Sequence, residues 1–185
     1  MTSAPVPAAG EIALHRVGTA GEMAADSAFG VALVTLWHRV SQADGAVGFL
    51  PDVSRGEVAG RAAPMVEEVR RGHAHAVAAT LDRRLVGFVA LTPGRWQTDR
   101  HVGTVAQLMV DPDRQGAGLG RRLLTEVIAL AGDLGLEQLD LSVRGGCGLE
   151  AFYEKAGFAV WGVRPGRLRV APGDDRDEVW LSRTL

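Results

Sequence analysis

The chain is poor in the residues that mark specialised classes. Its single cysteine, Cys147, allows no internal disulfide and no cysteine-built zinc site. Its single lysine, Lys155, lies outside any G-x-x-x-x-G-K-[ST] pattern, which excludes a Walker phosphate loop. Aromatics make up 5% of the chain, with one tyrosine, Tyr153. Neither sign of charge dominates: the formal net charge is −2, which gives no whole-protein attraction to nucleic acid. The longest apolar run, Val31–Leu36, is interrupted by Thr35 and falls far short of a membrane span of about 20 residues. The opening MTSAPVPAAG lacks a basic start and an apolar stretch, so no signal peptide is expected. What remains is an ordinary globular balance, 185 residues at 46% hydrophobic and 23% charged. A chain of this length buries roughly 70% of its extended surface and needs no metal or disulfide staple. The expectation is a soluble, reduced, cytoplasmic protein.

The pattern along the chain implies one α/β domain over residues 11–185 behind a flexible tail at 1–10. Glu11–Val17 alternates as a short strand. Thr19–Glu22 has the form of a capping box, and Phe29, Leu33, Leu36, Trp37 and Val40 form a helical stripe that should stop near Asp44-Gly45. A second capping box, Ser54–Glu57, opens a helix that contains Pro64 and is expected to kink or split there. His75–Leu81 and Leu85–Thr92 read as a hairpin, and Val102–Val110 as a strand ended by Asp111-Pro112. Leu119–Leu134 and Leu149–Ala156 read as helices around a strand at Gln138–Val143. Gly157 followed by Phe158 fits a Schellman stop. Closing strands are expected near Phe158–Val163 and Glu178–Thr184, with a polar turn region at Gly173–Asp177. The order β-α-α-β-β-β-α-β-α-β-β implies a mixed sheet with helices on both faces.

The informative stretch is Val105–Val127, VAQLMVDPDRQGAGLGRRLLTEV. A strand feeds a turn holding Gly116, Gly118 and Gly120, and the turn feeds a helix. Glycines let main-chain N–H groups approach an anion, and the helix start adds unpaired N–H groups and a positive dipole end. Arg114, Arg121 and Arg122 add full charges. The chemistry points to a phosphate or similar dianion. A Rossmann turn would need Gly or Ala where Arg121 stands, and a hairpin precedes instead of an opening β-α-β unit. Asp140, about 20 residues on, is therefore no ribose-binding acid.

The sixfold Gln115-Gly116-Ala117-Gly118-Leu119-Gly120 resembles the pyrophosphate loop of the GNAT N-acetyltransferase superfamily, which holds acetyl-CoA. The resemblance extends to the "V-x-P" ending of the preceding strand, to Leu149–Phe158, which looks like that family's "A-x-x-x-Y-x-K-x-G-F" segment, and to the element order. It implies a GNAT fold, acetyl-CoA as co-substrate and no metal. The segment GAVGFLPDV at 45–53, with the loop, looks like the tabtoxin-resistance type of acetyltransferase. The resemblance further implies that Arg114, Gln115–Gly120 and Arg121 grip the pyrophosphate. The main chain of Leu108, Met109 and Val110 would pair with the pantetheine amides, and Met109 N–H would meet the thioester carbonyl. Tyr153 would be the general acid for the leaving sulfur.

An acceptor amine must lose a proton, and Val102–Val110 offers only Thr104 and Gln107, not the acid that family members often carry there. Asp140, Glu150, His101 or a water chain are the candidates for the base. Gly146 stands where the family frequently has an asparagine. The expected partner is a small amine acceptor, with no nucleic acid or membrane, and a homodimer is left open. A catalytically weak acyl-CoA-binding module and a peptide acetyltransferase are the alternatives. His73 with His75 lacks a third metal ligand, and Cys147 lacks a nearby histidine to make it a nucleophile. Arg164, Arg167 and Arg169 alternate with apolar residues as one exposed face.

Overall fold

A computed structural model describes residues 10–18 and 27–185. The Thr19–Glu22 capping box and residues 1–9 lie outside the described residues. A strand β1 (Ala13–Val17) is followed by helices α1 (Ser27–Gln42) and α2 (Arg55–Arg70), then by strands β2 (His75–Leu81), β3 (Arg84–Pro93) and β4 (Val102–Val110). Helix α3 (Leu119–Asp133), strand β5 (Gln138–Arg144), helix α4 (Leu149–Glu154) and strands β6 (Ala159–Ala171) and β7 (Asp174–Thr184) complete it. The strands form one seven-stranded sheet in the order β1-β2-β3-β4-β5-β7-β6. The β4–β5 pair is parallel and every other pair antiparallel. This is the mixed α/β sheet expected from the pattern.

Strand alternation divides the core into two layers. Val77, Val89, Val105, Val110, Leu139, Leu141 and Leu181 face α3, whose Leu119, Leu123, Val127 and Leu130 are buried against them. Ala76, Ala78, Phe88 and Met109 face the other way, onto Phe29, Leu33, Trp37 and Val58 of α1 and α2. Each fully buried Leu, Val or Phe side chain removed from water stabilises the fold by about 1.5–3 kcal/mol before entropy is counted.

Local chemistry sets the ends of elements. Ser54 Oγ accepts the Glu57 N–H while a Glu57 carboxylate oxygen accepts the Ser54 N–H at 3.0 Å, so the capping box of α2 forms in full. Asp82 and Arg83 both take positive φ, the two-residue turn geometry that matches hairpin twist. Phe158 N–H donates to the Tyr153 carbonyl and Gly157 N–H to that of Glu154, with Gly157 at φ +85°, completing the Schellman stop after α4.

Two expectations need correction. Pro64 does not split α2: Pro64 and Gly60, whose carbonyl it deprives of a donor, are both exposed, so water replaces the lost bond. The region Gly173–Asp177 is mostly strand. β6 runs on to Ala171 and β7 begins at Asp174, joined by a two-residue Pro-Gly turn. Cross-strand pairs Arg169–Asp175 and Arg164–Glu178 hold this polar hairpin, where charge masks the apolar alternation that would reveal a strand.

Candidate active site

β4 is the strand that makes a site possible. It pairs with β5 only through Val102, Gly103 and Thr104, opposite Gln138, Leu139 and Asp140. From Val105 onward the two strands diverge, and the β5-facing edge of β4 carries no ladder. The cause lies within β4. Gln107 sits at φ +48°, and the register with β3 slips between Phe88 and Ala90, so two β4 residues, Gln107 and Leu108, oppose one. Such a bulge bends its strand and sharpens the local twist. The result is an opening between parallel strands, walled by the main chain of Leu108, Met109 and Val110. Met109 is buried in the α1–α2 layer and Val110 in the α3 layer, so these residues offer the opening their backbone and not their side chains.

The glycine turn stands at the end of that strand. Asp111, 2% exposed, accepts from the Asp113 N–H and from Nη2 of Arg39 at 3.1 Å, which ties the turn to α1. Gln115 Nε2 donates to the Val110 carbonyl at 3.1 Å and folds the loop back over β4. Gly116 and Gly118 take φ of +78° and +82°, left-handed geometry that favours glycine. Gly118 caps α3 without any side-chain hydrogen bond. Among the described residues, the N–H groups of Gly116, Ala117, Gly118, Leu119, Gly120 and Arg121 have no main-chain acceptor. Residues 113–118 are exposed, so these donors face solvent and are not sealed by side chains. Free N–H donors at a positive helix end are an arrangement able to hold an anion. Arg114 and Arg121 flank it. Arg122 does not: its Nη2 is committed to the Ile12 carbonyl at 3.1 Å.

α4 closes the third side. A methyl built on Gly120 would meet Leu108, Val110 and Phe152 at 3.7–3.8 Å, so loop, strand end and α4 converge at that point. The Phe152 ring packs edge-on to Tyr153 at 5.0 Å, and Tyr153 packs edge-on to Phe158 at 5.8 Å. Tyr153 is 8% exposed and belongs to the same core layer as α3. Among the described residues its hydroxyl makes no hydrogen bond. Burial pushes its pKa up to about 12, so the phenol is a proton carrier at neutral pH. A cleft of about 390 Å³ runs outward between α3 and α4, with Arg121, Lys155 and Arg183 around Leu124, Ile128 and Phe152.

The candidate bases scatter. His101 lies at the far end of β4, roughly 30 Å of strand from the loop. Asp140 sits at the closed end of the β4–β5 opening and accepts from Gln138 Nε2 at 2.8 Å. Glu150 accepts from the Gly146 N–H at 3.4 Å, at the start of α4. Cys147 is exposed, with Sγ 2.7 Å from the Arg144 carbonyl. No group of three metal-ligating side chains occurs among the described residues. No helix among them is long and apolar enough to cross a membrane. Sequence reasoning missed the bulge at Gln107 and the roles of Asp111, Phe152, Lys155 and Arg183. Only Phe152 and Lys155, inside the tyrosine motif, carried a signal.

The acetyltransferase (GNAT) family model matches residues 42–158, which include the bulged strand, the glycine loop and the tyrosine helix. The chain belongs to the GNAT acetyltransferase family. A stretch of 94 residues is 40% identical to a mycothiol acetyltransferase of Propionibacterium freudenreichii subsp. shermanii. That stretch spans 50% of this GNAT chain and 30% of that protein. The fold matches an acetyltransferase of the GNAT family from Streptococcus pneumoniae with TM-score 0.75 at 19% identity, covering 95% of this chain and 100% of the other. It also matches a GNAT superfamily phosphinothricin acetyltransferase from Sinorhizobium meliloti, solved with acetyl-CoA, with TM-score 0.72 at 20% identity, covering 94% and 88%.

Proposed function

We propose that this GNAT protein is an acetyl-CoA-dependent N-acetyltransferase acting on a small primary amine. One observation carries the reading: a run of unaccepted N–H groups from Gly116 to Arg121 adjoins a strand edge that no other strand occupies. A diphosphate suits the first and an extended, amide-bearing arm suits the second. Both belong to coenzyme A. Arg114, Gln115, Gly116, Ala117, Gly118, Leu119, Gly120 and Arg121 would hold the diphosphate, and Leu108, Met109 and Val110 would pair with the arm. The cationic cleft by Lys155 and Arg183 would take the nucleotide end.

The thioester then lies within the opening. The neutral amine nitrogen bonds to the acetyl carbon, the C–S bond breaks with its electron pair going to sulfur, and the proton shed by nitrogen balances the one sulfur gains. A Met109 N–H at the carbonyl oxygen would stabilise the developing negative charge. Tyr153 would face the sulfur. A phenol with pKa about 12 opposes a thiol near 8.5, so full proton transfer between them is uphill. Tyr153 therefore serves by donating a hydrogen bond to the leaving thiolate, and the ammonium formed on nitrogen once it has attacked is the stronger source of the proton.

The acceptor is drawn from the loop between α1 and α2, residues 45–53, whose sequence resembles tabtoxin-resistance acetyltransferases. The indole of Trp37 donates to the Val47 carbonyl at 2.9 Å and packs on Phe49, which anchors that loop to α1. The test is a thermal shift with acetyl-CoA followed by a thiol-release assay across an amine library. Stabilisation with turnover supports the reading. Stabilisation without turnover would indicate an acyl-CoA-binding module. No stabilisation at all would refute the cofactor site.

A further inference from the structure

We infer that the acceptor carries a second cationic group, held by Glu178 and the paired indoles of Trp161 and Trp180 while its other, neutral amine reacts. This rests on the acetyl-CoA reading above. If α3 and the glycine loop hold the cofactor on one side of the sheet, the acceptor must come through the β4–β5 opening from the other side. On that side, strand alternation displays Asp140, Ser142 and Arg144 of β5 and Glu178, Trp180 and Ser182 of β7, because their neighbours Leu139, Leu141, Val143, Val179 and Leu181 are buried toward α3. α1 packs on β3 and β4, and α4, which contacts β5, β6 and β7, belongs through Leu149, Phe152 and Tyr153 to the α3 side of the sheet.

On this face Glu178 keeps one carboxylate oxygen without a hydrogen bond. Its Oε1 accepts from Ser142 Oγ at 3.1 Å. Its Oε2 is shielded from solvent and accepts no hydrogen bond, although it is ion-paired across the hairpin with Arg164 Nη1 at 3.5 Å. Arg144, opposite Glu178 in register, sends its guanidinium to the Asp44 carbonyl at 2.9 Å. A carboxylate oxygen out of water and without a donor is costly, and an arriving N–H cation relieves it. Beside it, Trp161 is 61% exposed and its ring lies 5.9 Å from that of Trp180, placed there by the bulge between Val160 and Gly162. An exposed indole, with its half-buried partner, near a carboxylate recognises ammonium by charge and by the ring face. The same carboxylate keeps its guest protonated, so the amine it holds is not the nucleophile. Glu178 lies one strand spacing beyond β5, roughly 5 Å, which leaves room for a short linker.

The probes are 1,4-diaminobutane and butylamine, assayed for thiol release with acetyl-CoA binding measured separately. The wild type is expected to favour the diamine at least tenfold in kcat/KM. Glu178→Gln should bring that ratio close to one through a higher diamine KM, with acetyl-CoA affinity unchanged. Trp161→Ala, a surface change that leaves folding intact, should cut the ratio severalfold. Equal use of both amines, a preference that survives Glu178→Gln, or acetyl-CoA binding with neither amine turned over would overturn the inference. Failure of acetyl-CoA to bind would instead overturn the proposed function beneath it.

Discussion

Tyr153 is fixed by packing, and the proposed function gives its hydroxyl a part in the chemistry. Phe152 and Phe158 hold its ring edge-on, and that burial raises its pKa. Tyr153→Phe keeps the packing and removes only the hydroxyl. It is expected to lower kcat by about 10- to 100-fold, the worth of one hydrogen bond to a charged group, while KM for acetyl-CoA changes little. Steady-state kinetics at varied acetyl-CoA read both. The same residue fixes a pH dependence. Its folded pKa, about 12, exceeds the unfolded value near 10, so the neutral phenol's contribution is complete below pH 10 and lost as pH rises toward 12. Two units correspond to about 2–3 kcal/mol. Chemical denaturation between pH 9 and 11.5 should show wild type losing more stability than Tyr153→Phe. Equal losses would mean the ring carries no such burial cost.

Among the elements, β4 is where sequence and structure part. Its apolar residues marked a strand, and Asp111-Pro112 marked its end. The bulge was illegible, because a positive φ at Gln107 is imposed by flanking pairings and not by glutamine's own preference. The β6–β7 hairpin was under-read for a related reason: arginines and aspartates pair across it where alternating apolar residues would have betrayed a strand. The glycine loop, by contrast, was legible, since only glycine takes φ of +78° and +82° at no steric cost. Two substitutions test these assignments. Gln107→Val puts a β-branched residue where φ is +48°, and should destabilise by roughly 1–3 kcal/mol, with acetyl-CoA affinity falling further as the opening narrows. Gly118→Ala has nothing within 4 Å of the new methyl, so it is a pure backbone test. It should destabilise by about 1–2 kcal/mol and weaken acetyl-CoA binding as the cradle N–H groups shift, measured by calorimetry.

Taken as a whole, the molecule is a sheet in two parts hinged on three residue pairs. β1 to β4 are laddered together and carry α1 and α2, while β5, β7 and β6 form a second ladder with α4 against them. The parts meet along Val102–Thr104 and Gln138–Asp140, with α3 spanning the join through the core layer it shares with both. The element order that reveals this architecture was readable from periodicity and turns. The splay was not, because it depends on pairings between residues distant in the chain. A ligand lying in the splay adds contacts to both parts at once, so its binding should report on the join. At about 100 times its Kd, acetyl-CoA adds roughly 2.7 kcal/mol of stability. For a domain of this size each kcal/mol moves Tm by about 2–4 °C, so Tm should rise by roughly 5–11 °C. Hydrogen exchange should then slow at Leu108–Val110 and Gly116–Arg121, with β1 and β2 little changed. Protection confined to β6 and β7, with the glycine loop unaffected, would place the ligand at the β6 edge of the sheet and remove the basis for reading the opening as the cofactor channel.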